Sequence, residues 1–182
     1  KYKEVTKLAE LCNLPIVTAA GHGDAIPFGH KLHAGQMGPR GNPVASRLVK
    51  NADVILAIGT RLGFNSTFYS YENINKNAKI IQIELEKKML GKYFPVKVKI
   101  HADAATATKQ IYDQIKRDRV KLNLNNWTNF YIKERKEYLQ NRDKQNLGPN
   151  FPIQPKGLFQ QLRRVLPKNS VITLDAGTLC LQ

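Results

Sequence analysis

Residues Ala52 to Leu62 read Ala-Asp-Val-Ile-Leu-Ala-Ile-Gly-Thr-Arg-Leu, and this stretch narrows the fold more than any other. Val54 to Ile58 is an aliphatic run without polar alternation, the pattern of a strand covered on both faces. It predicts the central strand of a parallel sheet. The run breaks at Gly59-Thr60-Arg61. In an open α/β sheet, ligands sit beyond the carboxyl ends of the strands. A glycine there lets an anion approach the backbone, and a guanidinium neutralises it. On local features alone, an ordinary turn with a solvated arginine is an equal reading.

The remaining segments supply the elements of such a sheet. Tyr2 to Asn13 places Val5, Leu8, Ala9 and Cys12 on one helical face, and Leu14 to Ala19 follows as a short buried strand. A helix leading straight into a strand implies an earlier strand of the same sheet ahead of it. Gly21-His22-Gly23-Asp24-Ala25-Ile26-Pro27 resembles a dinucleotide fingerprint but lacks its third glycine and carries a proline, so an NAD-type site is rejected. Phe28 to Gly41 is glycine-rich without a regular period and reads as a loop. Asn42-Pro43 then opens a helix through Asn51, with Val44, Leu48 and Val49 inward. A glycine-rich loop feeding a helix N-terminus suits a phosphate, to which Arg40 would add a charge-assisted contact.

Lys79 to Glu86 is a strand ending in two acids, and such acids accept hydrogen bonds from ribose hydroxyls as readily as they sit in solvent. Val96 to Ile100 alternates and suits an edge strand. Asp103 caps a helix through about Lys116, with Ala104, Ala107, Ile111 and Ile115 facing the sheet. These residues form one α/β domain over 1–117. Residues 118–155 read as an interdomain linker carrying one helix with Trp127, Phe130, Tyr131, Glu134 and Tyr138. Residues 156–182 open a further α/β domain. There a helix turns Leu158, Phe159, Leu162, Val165 and Leu166 inward, and Ser170 to Asp175 follows as a buried strand.

Composition removes several functions. The net charge of +15 invites a polyanionic partner. The basic residues are scattered, however, and no recognition helix, zinc spacing or aromatic ribonucleoprotein motif accompanies them, so nucleic acid is not expected. His22, His30 and His33 have no carboxylate at a supporting metal spacing and read as loop hydrogen-bonders; no metal ligand is expected. Cys12 and Cys180 lie in apolar segments far apart, as reduced core residues of a cytoplasmic protein do. No apolar run has bilayer-spanning length, and no membrane partner is expected.

Six segments in one order carry a resemblance. They are Leu14 to Thr18; Ile26-Pro27 with His30; Gly38-Pro39-Arg40-Gly41; Asn51 to Arg61; Ile81 to Glu84; and Ala102-Asp103-Ala104. Together they resemble the middle domain of thiamine-diphosphate (ThDP) enzymes of the acetolactate synthase type. Ser170 to Thr178 resembles the first strand of that family's diphosphate-binding domain.

The resemblance implies a six-stranded parallel sheet with helices on both faces, a Rossmann-like middle domain here lacking its first strand. It also implies a parent enzyme that is a ThDP- and Mg2+-dependent carboligase or decarboxylase acting on a 2-oxo acid or aldehyde, assembled as a homo-oligomer. In this family the middle domain holds FAD, ADP or nothing. By position, the nucleotide contacts would be Thr18, Ala19, Ala20, Gly21, Met37, Gly38, Pro39, Arg40, Gly59, Thr60, Arg61, Glu84, Leu85, Glu86 and Asp103, with Gly177 and Thr178 near ThDP. Acetolactate synthases follow the arginine with an aromatic residue, two aspartates and a second arginine. Leu62-Gly63-Phe64-Asn65 departs from that pattern, which weakens the case for FAD in particular. The family's catalytic glutamate and metal motif lie outside these residues, so no catalytic residue is expected here and the 182-residue chain by itself is expected to be inactive. A sulfoacetaldehyde acetyltransferase-like enzyme and a non-catalytic nucleotide-binding module are the alternatives.

Overall fold

The computed structural model describes residues 3–38, 41–144, 155–167 and 169–173. They fall into two compact units, Lys1–Tyr138 and Leu139–Gln182.

The first unit begins with helix α1 (Lys3–Cys12), strand β1 (Ile16–Thr18), strand β2 (His33–Gln36) and helix α2 (Pro43–Asn51). Strand β3 (Val54–Ile58), the short helix α3 (Phe64–Thr67), β4 (Lys79–Glu84), β5 (Val98–His101) and α4 (Ala104–Arg117) follow. All pairings are parallel. β1 pairs with β2 in one sheet, and β3, β4 and β5 lie in that order in another. This is the expected α/β class, with two departures. The glycine-rich stretch taken for a loop contains β2: His33, Ala34 and Gly35 are buried and bond to β1, and a strand of four residues is too short to show a period. Val54 to Ile58 is not central among the described residues. It forms one edge of the three-stranded sheet, and β4 takes the middle.

The predicted helix starts hold. Asn42 Oδ1 accepts from the Val44 N–H at 2.8 Å, and Asp103 Oδ1 accepts from the Thr106 N–H at 2.9 Å. An N-cap of this kind contributes about 1 kcal/mol at a site like Asn42. Val44, Leu48 and Val49 of α2 are buried as expected and join Ala34, Met37, Ala57, Leu62 and Ile80 in the main apolar cluster. Helices α1 and α4 pack together outside that cluster, burying Leu8, Ala9, Cys12 and Ala107. Helices therefore cover two faces.

Helix α5 (Asn125–Lys144), read from sequence as part of a linker, lays its first half on this unit. Tyr131 is buried in the main cluster and accepts a hydrogen bond from Asn51 Nδ2 at 2.9 Å. Thr128 Oγ1 donates to the Asn13 carbonyl, and Glu134 pairs with Arg47 at 2.9 Å. Trp127 and Tyr138 pack against the same cluster, whereas Phe130 is exposed.

In the second unit, helix α6 (Pro155–Val165) forms where expected, but Leu158 and Val165 point to solvent rather than inward. Ser170 to Thr173 is not a strand: Val171 is 90% and Ile172 63% exposed. A parallel strand needs a hydrogen-bonded neighbour, and none lies beside these residues among those described. Leu174 and Asp175 lie outside the described residues. No helix is long and apolar enough to cross a membrane among the described residues.

Candidate functional site

The carboxyl ends of the strands gather along one edge of the first unit. β1 ends at Thr18, whose carbonyl accepts from the Met37 N–H at 2.9 Å just past the end of β2. Gly38 follows with φ +108°, and a Cβ there would lie 2.5 Å from the Asn65 carbonyl oxygen. Asn65 belongs to α3, which follows the end of β3, so the corners after β2 and after β3 adjoin. Gly59 turns that second corner with φ +60°, a conformation that favours glycine, and its N–H bonds to the Ile83 carbonyl at 2.9 Å. The Ala102 N–H then reaches the Glu84 carbonyl at 3.3 Å, which sets the Asp103 cap beside the end of β4.

Arg61 projects from this edge and pairs with Glu86 Oε2 at 2.9 Å, while Lys88 takes Glu86 Oε1 at 2.7 Å. The hydrogen bond from Lys88, with added attraction from Lys88 and Arg61, holds the Glu86 carboxyl below the usual carboxylate range. Asp103 is lowered as well, by the backbone N–H and then the hydroxyl of Thr106. Glu84 is buried and accepts the Glu86 N–H at 3.0 Å, and Leu85 is exposed. Ala19, Ala20 and Gly21 turn away after β1, with the His22 N–H bonded to the Ala19 carbonyl. Pro39, Arg40, Gly177 and Thr178 lie outside the described residues.

Two polar residues that sequence reasoning passed over shape this edge. Gln82, 2% exposed in the middle of β4, donates to the Thr60 carbonyl at 3.0 Å and accepts from the Gly91 N–H at 2.8 Å. A lone amide within Ile-Ile-Gln-Ile is the signal that could have marked it, since a buried amide needs partners. Thr67 is fully buried; its hydroxyl donates toward the Leu62 and Gly63 carbonyls and accepts from the Tyr69 N–H. It thereby steadies Phe68 and Tyr69, both at positive φ.

Two of the three loop histidines, His30 and His33, hydrogen-bond through their rings. His30 Nε2 meets Glu10 Oε1 at 3.1 Å and its Nδ1 accepts from the Leu32 N–H. Buried His33 donates from Nδ1 to the Phe28 carbonyl at 3.4 Å. No group of three or more histidine, cysteine or acidic residues is arranged to hold a metal ion among the described residues.

Against known protein families, residues 1–111 match the central domain of thiamine pyrophosphate enzymes. The chain belongs to the thiamine pyrophosphate enzyme family. It is 28% identical to a sulfoacetaldehyde acetyltransferase from Castellaniella defragrans, over 97% of this chain and 33% of the relative. A second sulfoacetaldehyde acetyltransferase, from Roseovarius nubinhibens, is 29% identical over 96% of this chain and 32% of the relative. A probable acetolactate synthase large subunit from Methanococcus aeolicus is 28% identical over 96% of this chain and 31% of the relative. The chain thus spans about a third of the length of the curated relatives it matches. Membership implies ThDP and Mg2+ in the whole enzyme. The glycine and arginine corners described above fall inside the matched central domain.

Proposed function

We propose that this chain is the central third of a ThDP- and Mg2+-dependent transferase, and that a sulfoacetaldehyde acetyltransferase is a better description of the whole than an acetolactate synthase. The single observation behind this choice is that identity reaches 36% over 59% of this chain for a sulfoacetaldehyde acetyltransferase from Rhodobacter capsulatus, against 26–28% for the acetolactate synthase large subunits. Leu62-Gly63-Phe64-Asn65 agrees, because it lacks the acidic and basic residues that acetolactate synthases carry after the arginine. The donor is then sulfoacetaldehyde rather than a 2-oxo acid.

ThDP chemistry requires a carboxylate to promote ylid formation and a divalent ion to hold the diphosphate. In such an enzyme the central domain would contribute architecture and subunit contacts within a homo-oligomer. Its carboxyl edge is the place for an ADP- or FAD-type ligand. Arg61 would take a phosphate there, Glu84 or Glu86 a ribose hydroxyl, and the Gly59 and Gly38 corners would admit the ligand close to the backbone. The guanidinium is already engaged by Glu86, so a phosphate must compete with that carboxylate. This favours a weakly held or absent nucleotide over a tightly bound FAD.

The test is an assay of the full-length protein, with ThDP and Mg2+, on sulfoacetaldehyde and separately on pyruvate. Consumption of sulfoacetaldehyde supports the reading. Turnover of pyruvate alone, with acetolactate formed, transfers the protein to the other branch.

A further inference from the structure

His33, Phe28 and Arg135 form a cluster that belongs neither to the carboxyl edge nor to the main apolar core. His33 opens β2 and is 4% exposed. Its Nδ1 faces the Phe28 carbonyl at 3.4 Å. A carbonyl only accepts, so the neutral ring carries its hydrogen on Nδ1 and leaves a lone pair on Nε2. That Nε2 is buried and has no hydrogen-bond partner among the described residues. From α5, Arg135 donates to the same Phe28 carbonyl at 2.8 Å, and its guanidinium lies 4.9 Å from the centre of the Phe28 ring. The Phe28 ring in turn stands nearly perpendicular to the His33 ring, with centroids 6.1 Å apart. One carbonyl and one ring thus join β2 to the second half of α5.

A proton can enter His33 only at Nε2, where the new N–H would meet no acceptor. The groups set against the ring oppose the charge as well. Burial disfavours it most, Arg135 of α5 and His30 of the same loop add to the effect, and only the Phe28 carbonyl favours it. The carboxylates of the neighbouring helices are committed elsewhere: Glu10 of α1 meets His30 Nε2 at 3.1 Å, and Glu134, next to Arg135 in the chain, pairs with Arg47 at 2.9 Å. Most of the cluster is fixed in place. β2 is bonded to β1, and His30 is held by its N–H on the Pro27 carbonyl and by the Leu32 N–H on its Nδ1. The first half of α5 is anchored by Thr128 and Tyr131. The second half has, besides Arg135, the partly exposed Arg47–Glu134 pair and the half-buried Tyr138, and a surface ion pair contributes little. It is the part free to move.

We propose that His33, Phe28 and Arg135 are a proton-operated clasp: docked α5 keeps the imidazole neutral, and a proton on Nε2 expels Arg135 and releases the second half of the helix, residues 132–138, from the loop between β1 and β2. Once released, the ring regains water and takes up its proton near the ordinary value of about 6.5. Docked, it does so only at lower pH. The released form therefore binds more protons, and the ratio of released to docked helix rises up to about tenfold for each pH unit below about 6.5 until the docked ring titrates too. The clasp works in the same way whatever substrate the whole enzyme takes.

Hydrogen–deuterium exchange followed by mass spectrometry in the full-length protein, from pH 7.5 to 5.5 with each rate divided by the intrinsic rate at that pH, tests the clasp. Residues 132–138 should lose protection by about threefold to tenfold over this range, while residues 53–58 of β3 stay better protected at every pH. His33→Gln, which keeps a donor for the Phe28 carbonyl but takes no proton, should abolish that loss, and His30→Gln should retain it. If His33→Gln does not fold, Arg135→Gln supplies the second reading: exchange of 132–138 should already be several-fold faster at pH 7.5, with 53–58 changed less. Protection lost by 132–138 and 53–58 as one unit, a pH response that survives His33→Gln or vanishes with His30→Gln, or unaltered exchange in Arg135→Gln would each overturn the proposal.

Discussion

Replacing Gln82 with leucine isolates the internal latch of the carboxyl edge. The side chain keeps its approximate volume but loses the donor to the Thr60 carbonyl and the acceptor for the Gly91 N–H. A buried group left without its partner costs about 1–3 kcal/mol. Thr60 and Gly91 are themselves half-buried, so water relieves part of that penalty and the lower end applies to each. Two such losses, less about 1 kcal/mol regained from the apolar leucine, leave a net destabilisation of about 1 kcal/mol. For a unit of this size that lowers the melting temperature by about 2–6 °C. Thermal melts followed by circular dichroism and urea titrations should agree on the loss. Gln82→Glu should be worse, because it places an ionisable carboxyl in the sheet and removes the donor to Thr60. A leucine variant as stable as the parent chain would refute the latch, and with it the reason an amide sits among Ile80, Ile81 and Ile83.

Two further outcomes follow from the site. Glu86→Gln releases Arg61, so inorganic pyrophosphate should bind the variant several-fold more tightly by calorimetry, and Arg61→Gln should bind it less well than the parent; equal binding by all three forms would remove the anion site. His33 is pushed below the usual histidine range by burial first and by Arg135 second, with His30 adding to the effect against the opposing bond to the Phe28 carbonyl. A lowered folded pKa means that the unfolded chain takes up the proton first. Stability should be level above the ordinary histidine value of about 6.5 and fall as pH drops through it, a slope that His33→Gln should flatten in urea titrations at successive pH values.

The helices with caps were the most legible parts of the chain. Asn42 and Asp103 announce their helices because a side-chain oxygen beside a free N–H is a local arrangement needing no distant partner. Strand β4 was legible through its aliphatic run, but its place at the centre was not, since strand order depends on pairing between distant segments. Strand β2 was hidden because Gly35 sits at φ +116° with the Asn42 side chain where a Cβ would be, and a glycine kept for close packing looks like a glycine kept for a turn. Helix α5 looked like a connection because its polar residues dominate. Its docking depends on Thr128, Tyr131 and Glu134, whose partners Asn13, Asn51 and Arg47 lie far away in sequence. At the site, Gly59 and Arg61 were visible from charge and glycine placement. The engagement of Arg61 by Glu86 was not, because it arises from the parallel register of β3 and β4.

The most direct test is to measure sulfoacetaldehyde consumption, with ThDP and Mg2+ present, by the full-length protein and by the 182-residue chain in parallel. The account predicts turnover by the former and none by the latter. Cofactor-dependent turnover by the shorter chain would contradict it.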